Sequence, residues 1–377
     1  MIAITCIQYL DLHYRELENR FPGAVSGSAL SSGSGDAVEL VRYLNNRPLI
    51  KYSLEYLTLL KGDGSVDPDI QKLYLGLTSN IRNCRSSLQI CFLKRLTNFN
   101  ADSQHVQELN YLLGVASENG YTVAAENLLA AGAECSTALH IAAWGGQLAM
   151  VGLLLDRGAK IDAKNPNMRT PLHAAASNGC EATVRLLLDR GAGVDVKDSG
   201  NQAPLHAATS GGYDATVRLL LDRGADIDVE DSGNQTPLHK AALNGYEVMA
   251  GLMLDRGAEI EAKDSAGRTP LHNAVSNGCE AVVQLLIDRG ADIEAKDSDE
   301  QTPLHRASLC GYEGTIGLLL HSGADIEAKD PANQTPLHKA AFSGYEAIAG
   351  LLLNRGAESE AKGSDMRTPL HIAVSSR

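Results

Sequence analysis

Aromatic side chains make up only 5% of this 377-residue chain, with one Trp and four Phe. So few large rings argue against a single bulky core and suit closely packed small helices, because Ala, Leu and Gly are abundant. No run approaches the ~18 consecutive apolar residues of a membrane-spanning helix. The start, Met1-Ile-Ala-Ile-Thr-Cys-Ile7, is too short for a secretory hydrophobic region and lacks both a basic leader and a small-residue cleavage site. These absences read as an intracellular protein, cytoplasmic or nuclear. The seven cysteines, Cys6, Cys84, Cys91, Cys135, Cys180, Cys279 and Cys310, include no Cys-x-x-Cys pair. Neither a disulfide framework nor a zinc spacing is present, so they read as reduced, buried thiols.

The signatures of catalysis are missing too. The Gly-rich stretch Gly27-Ser-Ala-Leu-Ser-Ser-Gly-Ser-Gly35 lacks the Lys-Ser/Thr that would hold phosphate and magnesium. There is no His-Glu-x-x-His, and no Gly-x-Ser-x-Gly stands between a strand and a helix. The reading is a non-enzyme with no cofactor. The formal charge is -13. Residues 1–103 hold 11 Lys/Arg against 10 Asp/Glu, so the acidity lies in residues 104–377. An acidic surface repels phosphate, which excludes nucleic acid and anionic membrane as expected partners.

The length exceeds the roughly 250–300 residues at which one core stops growing. An array of stacked units grows without that limit. Such an array is present. His140, His173, His206, His239, His272, His305, His338 and His371 are each 33 residues apart. Thr-Pro-Leu-His surrounds six of them, from Thr170, Thr236, Thr269, Thr302, Thr335 and Thr368; Thr137-Ala-Leu-His140 and Ala203-Pro-Leu-His206 are altered copies.

In the unit from Thr236, the Thr hydroxyl is an N-cap expected to accept from a free N–H of the first turn. Pro237 suits the first helical position. Leu238, Ala241 and Ala242 give a small apolar face, and Asn244-Gly245 ends the helix. Tyr246 to Asp255 reads as a second helix, with Gly257 at a left-handed C′ position. Asp264-Ser-Ala-Gly267 reads as a β-turn. Helices this short are marginal alone, so stability must come from the interfaces between units. Histidines about 10 Å apart cannot share a zinc ion, whose ligands lie within ~2.0–2.3 Å. The expected role is hydrogen bonding across units.

Thr-Pro-Leu-His-x-Ala-Ala, Leu-Leu-Leu-Asp-Arg-Gly-Ala and Asp-Ile-Glu-Ala-Lys-Asp resemble the ankyrin repeat, from about Gln107 onward. The resemblance implies an all-α, curved solenoid of helix–turn–helix units with protruding hairpins; before it, helical patterns around residues 4–21, 37–60 and 70–97 read as a helical N-terminal region. The expected organisation is residues 1–103 helical with a mobile loop at 23–35, 104–136 a degenerate capping repeat, 137–367 seven repeats, and 368–377 a truncated eighth. That truncation predicts a poorly covered apolar face on the second helix of the repeat at Thr335. The family often has Asn where this chain has Asp162, Asp195, Asp228, Glu261, Glu294, Glu327 and Glu360. A longer period overlies the first. Ser177-Asn-Gly-Cys-Glu-Ala182 recurs at 276–281 and Thr236-Pro-Leu-His-Lys-Ala-Ala242 at 335–341, each 99 residues on. Equivalent surface patches should therefore recur every third repeat.

The resemblance also implies a protein-binding scaffold or adaptor that uses the concave first-helix face and the hairpin tips, among them Asn167, Asn201, Asn234, Asp299 and Asn333. On that face Lys240, Arg306 and Lys339 align beside Leu243, Leu309 and Phe342. This basic and apolar strip suits an acidic, partly apolar peptide segment. Trp144, the only Trp, is a candidate anchor. Near the N-terminus, Cys6-Ile-Gln-Tyr-Leu10 and Arg47-Pro-Leu-Ile-Lys-Tyr52 resemble segments that precede the ankyrin repeats of fungal NACHT-type receptors. The Trp and His that often follow are replaced by Leu57-Thr-Leu-Leu60. That resemblance implies an alternative, a ligand-sensing arm without its NTPase.

Overall fold

The computed structural model describes residues 103–375 except 131. The expectations for residues 1–102, including the loop at 23–35 and the NACHT-like segments, lie outside the described residues. Within them every regular element is a helix and no strand occurs. They fall into two compact units, one of the residues up to Val115 with Val123–Ala133, the other of Ala116–Thr122 with the residues from Glu134 on.

The chain opens with α1 (Ser103–Asn119) and α2 (Thr122–Ala130). Leu109 and Leu113 of α1 and Leu128 of α2 are buried. Seven helix pairs follow: α3 (Cys135–Trp144) and α4 (Leu148–Asp156), α5 (Pro171–Ser177) and α6 (Glu181–Asp189), α7 (Pro204–Ser210) and α8 (Asp214–Asp222), α9 (Pro237–Asn244) and α10 (Glu247–Asp255), α11 (Pro270–Ser276) and α12 (Glu280–Asp288), α13 (Pro303–Cys310) and α14 (Glu313–His321), α15 (Pro336–Ser343) and α16 (Glu346–Asn354). A single helix, α17 (Pro369–Ser375), ends the row. Each first helix packs on the next first helix, and each second helix on the next second helix.

The local chemistry sets the boundaries. Wherever Thr-Pro or Ala-Pro is present the helix begins at the proline, whose missing N–H is no loss there. Without that proline, α3 begins at Cys135, two residues before Thr137. Gly257, at φ 89°, ends α10 in the left-handed conformation, and Ala258 N–H reaches back to the Met253 carbonyl at 3.0 Å. Leu238, Ala241 and Ala242 of α9 and Met249, Ala250 and Met253 of α10 are all buried. The alanines remove bulk where helices approach closely.

The hairpins are built on an aspartate. Asp264 Oδ1 accepts from the N–H groups of Ala266 and Arg268, both at 2.9 Å, and Gly267, at φ 70°, donates to the Asp264 carbonyl at 2.8 Å. The left-handed position of the other hairpins is occupied by Met168, Asn201, Asn234, Glu300, Asn333 and Met366. In two hairpins the left-handed residue thus follows directly on the tip residues Asn167 and Asp299. Acidic residues at one hairpin position cap the following unit. Asp228 accepts from Glu259 N–H at 2.9 Å, Glu261 from Asp292 N–H at 2.8 Å and Glu294 from Asp325 N–H at 2.8 Å.

The last helices are more exposed than their counterparts. Leu353 of α16 is exposed. On α17, Leu370 is 69% exposed, whereas its equivalents Leu304 and Leu337 are buried.

Candidate functional site

The histidines come first, because they decide what the first-helix face can offer. His239 Nε2 lies 2.9 Å from the Arg268 carbonyl of the next unit. A carbonyl only accepts, so Nε2 carries the proton and Nδ1 is the acceptor. Nδ1 receives the Thr236 backbone N–H at 3.2 Å and lies 2.9 Å from the Thr236 hydroxyl, which donates to it. The Thr hydroxyl, expected as an accepting cap and part of a capping box with the His239 backbone, also donates to the ring. The same cross-unit bond runs from His173 to Gln202, His206 to Gln235, His272 to Gln301, His305 to Gln334 and His338 to Arg367. With both nitrogens engaged, no lone pair remains for a metal. Burial pushes all six rings below the ordinary His pKa, so they are neutral.

The apolar members of the expected strip reach the surface. Trp144, at the end of α3, is 52% exposed and Phe342, on α15, is 64% exposed. Leu243 and Leu309 are half-buried. The basic members are placed differently. Lys240 Nζ lies 2.8 Å from Asp231 Oδ2 and 2.6 Å from Gln235 Oε1. Lys339 Nζ lies 2.6 Å from Asp330 Oδ2 and 2.9 Å from Gln334 Oε1, and the whole side chain is buried. Burial alone would raise Asp231 and Asp330, but the lysine hydrogen bonds and backbone N–H groups outweigh it and hold both carboxyls below the ordinary value. These two lysines are internal counter-ions rather than free cations, a correction to their reading as an open basic strip. Asp231 and Asp330 lie nine residues upstream on the hairpins, where the aligned 33-residue pattern gave no sign of pairing.

Arg306 stands at the equivalent position but forms no ion pair among the described residues, and its Nε is buried without a partner. Three neighbouring positions share that condition. Arg268 Nε, Asn273 Nδ2 and Gln301 Oε1 are also buried and unpartnered. Asn273 occupies the lysine position of its own unit. Arg268 precedes Thr269 where Gln235 and Gln334 precede theirs. An alignment of positions one before Thr and one after His brings these residues out, but only the coordinates show them unpaired.

The 99-residue period is visible in atomic detail. Asn178 Nδ2 donates to the Trp144 carbonyl at 2.8 Å and Asn277 Nδ2 to the Leu243 carbonyl at 2.7 Å. The described cysteines, Cys135, Cys180, Cys279 and Cys310, are free and half-buried.

Similarity to known proteins agrees with this geometry. A family model of ankyrin repeats in three copies matches residues 113–198, 139–231, 172–264 and 238–330, and a single-repeat model matches 332–364. The crystal structure of the human ASB11 ankyrin repeat domain is similar, with a TM-score of 0.54 and 27% identity, covering 58% of this chain and 98% of that one. No curated protein matches the chain. Ankyrin repeats generally mediate protein–protein interaction and are typically non-catalytic modules. Among the described residues no helix is long and apolar enough to cross a membrane. With its 33-residue helix pairs, its Thr-Pro-Leu-His caps and family matches over more than half its length, the chain belongs to the ankyrin-repeat family.

Proposed function

We propose that the protein is a non-catalytic scaffold or adaptor that holds a partner protein against its row of first helices and the adjoining hairpin tips. The observation that carries this reading is the exposure of Trp144 and Phe342 on first helices whose other apolar side chains are largely buried. Large aromatic groups that add little to the core are the type of side chain that dominates protein interfaces. Leu243 and Leu309 extend the same helix-end position between them. Lys240 and Lys339 contribute by holding the hairpins against the first helices, and Arg306 faces the partner. A partner segment with apolar and acidic side chains fits this surface, in the cytoplasm or the nucleus.

The test is quantitative comparison of co-purifying proteins for the unaltered chain and for Trp144→Ser and Phe342→Ser. Because both side chains are exposed, the thermal midpoint should stay within about 2 °C, while at least one associated protein falls about tenfold. An unchanged set of associated proteins in both variants would reject the surface.

A further inference from the structure

The turns that join each first helix to its second helix form an edge whose charge changes along the units. Around Trp144 this edge, residues 144–152, carries no charged side chain. In the next two units it is balanced, by Glu181 with Arg185 at 2.8 Å and then by Asp214 with Arg218. The four units that follow contribute residues 243–251, 276–284, 309–317 and 342–350. These hold Glu247, Glu280, Glu313 and Glu346 and no Lys, Arg or His. Where Arg185 and Arg218 stood, they have Gly251, Gln284, Gly317 and Gly350. Glu247, Glu280 and Glu313 are exposed and form no ion pair among the described residues.

The acidic part of the edge also presents apolar groups that the core does not use. Val248 is 67% exposed, Phe342 64%, and Tyr312 and Tyr345 39% each. In the balanced units the positions of Phe342 and Val248 are filled by Ser177, Ser210, Ala182 and Ala215. Apolar bulk thus arrives where the cations leave. The rings bridge units. A Cβ on Gly278 would strike the Tyr312 ring and one on Gly311 the Tyr345 ring, so each ring rests on the turn before it. Gly314 stands where the other units carry Ala or Val, and a Cβ there would strike the Glu280 carboxylate. That carboxylate therefore lies on the backbone of the next unit, one residue from Glu313.

We propose that this edge, from Glu247 to Tyr345, docks a basic polypeptide segment in which Lys or Arg stands beside an apolar side chain. The inference rests on the protein-binding reading above and adds the charge that the partner carries at the turns. Exposed apolar groups gathered in one place mark an interaction surface, and carboxylates without cations set the sign of what it accepts. The rings take the apolar stems of the basic side chains and attract their charged heads. Exposed ion pairs contribute little each, so the apolar groups supply affinity and the acids select. Units stand roughly 10 Å apart, and three residues of extended chain span about the same length, so cations spaced by three meet successive units.

The experiment selects displayed random peptides on the full chain and compares their affinity for two triple variants. The edge variant carries Glu247→Gln, Glu280→Gln and Glu313→Gln. The control carries Glu230→Gln, Glu259→Gln and Glu358→Gln, which remove the same charge from other exposed positions. All six side chains are exposed, so thermal midpoints should stay within about 2 °C. Peptides that bind the unaltered and control chains and lose about tenfold or more on the edge variant should share a Lys or Arg beside an apolar residue. Exchanging that cation for norleucine should weaken binding about tenfold on the unaltered chain and far less on the edge variant. Phe342→Ser and added salt should each weaken the same peptides. Equal losses on both triples would reduce the effect to net charge and overturn the proposal. No peptide lost on the edge variant, a shared acid in place of the cation, or undiminished binding to Phe342→Ser would overturn it too. These results leave the protein-binding reading standing, since that reading fails only when Trp144→Ser and Phe342→Ser both keep every associated protein.

Discussion

Each buried histidine closes a helix N-terminus and reaches the next unit at the same time. Its Nδ1 accepts the backbone N–H of the preceding Thr, and its Nε2–H satisfies a carbonyl 29 residues on. One unit lacks a part of this device. Ala203 still donates its N–H to His206 Nδ1 at 3.2 Å, but no hydroxyl approaches the ring. Thr170 and Thr236, at the equivalent positions, are as fully buried as Ala203, so the site has room for the larger residue. Ala203→Thr should raise stability by about 1 kcal/mol. Thermal unfolding followed by circular dichroism checks it, and an unchanged or lowered midpoint contradicts it.

At the scale of the element, a unit is a pair of helices joined to a hairpin by side chains that span both. Lys240 ties α9 to its hairpin through Asp231 and Gln235, and Lys339 ties α15 to its own through Asp330 and Gln334. Removing either ammonium leaves a buried carboxylate and an amide oxygen without their donor. Lys240→Ala and Lys339→Ala should each cost about 1–3 kcal/mol. The exposed Lys164 gives the control, and Lys164→Ala should stay within about 0.5 kcal/mol. Urea unfolding midpoints measure all three, and equal effects would show that the internal pairs hold nothing. The ladder of Arg190–Asp156, Arg223–Asp189, Arg256–Asp222 and Arg289–Asp255 links successive second helices. Being more exposed, it contributes less per pair.

For the whole molecule, repetition multiplies a local property into a global one. Six histidines are held neutral by burial. In the unfolded chain each binds a proton near pH 6.5. Below that value the unfolded state takes up protons that the native state excludes. Stability is therefore complete above about pH 6.5 and falls as the pH drops through it toward the depressed native values. Asp198, Asp231 and Asp330, held low by hydrogen bonds that outweigh burial, add a second loss at more acid pH, below their ordinary value of about 4. Urea unfolding at about pH 8 and about pH 5 should show a clearly lower midpoint at the acid value; equal midpoints would mean the rings do not titrate as the structure implies.

The repeat, its helix pairs, the left-handed Gly257 and the bonding of His239 across units were all legible in the residues, because each depends on groups close in the chain or on a strict 33-residue register. Whether a cation is free does not depend on that register. Lys240, Arg306 and Lys339 occupy equivalent positions, yet two are neutralised by a carboxylate folded back from the hairpin and one is not. The sequence by itself determined that these side chains stand in a row. Only the tertiary structure decided which of them face a neighbour of their own chain, because desolvation and pairing are set by the atoms within a few ångströms in space.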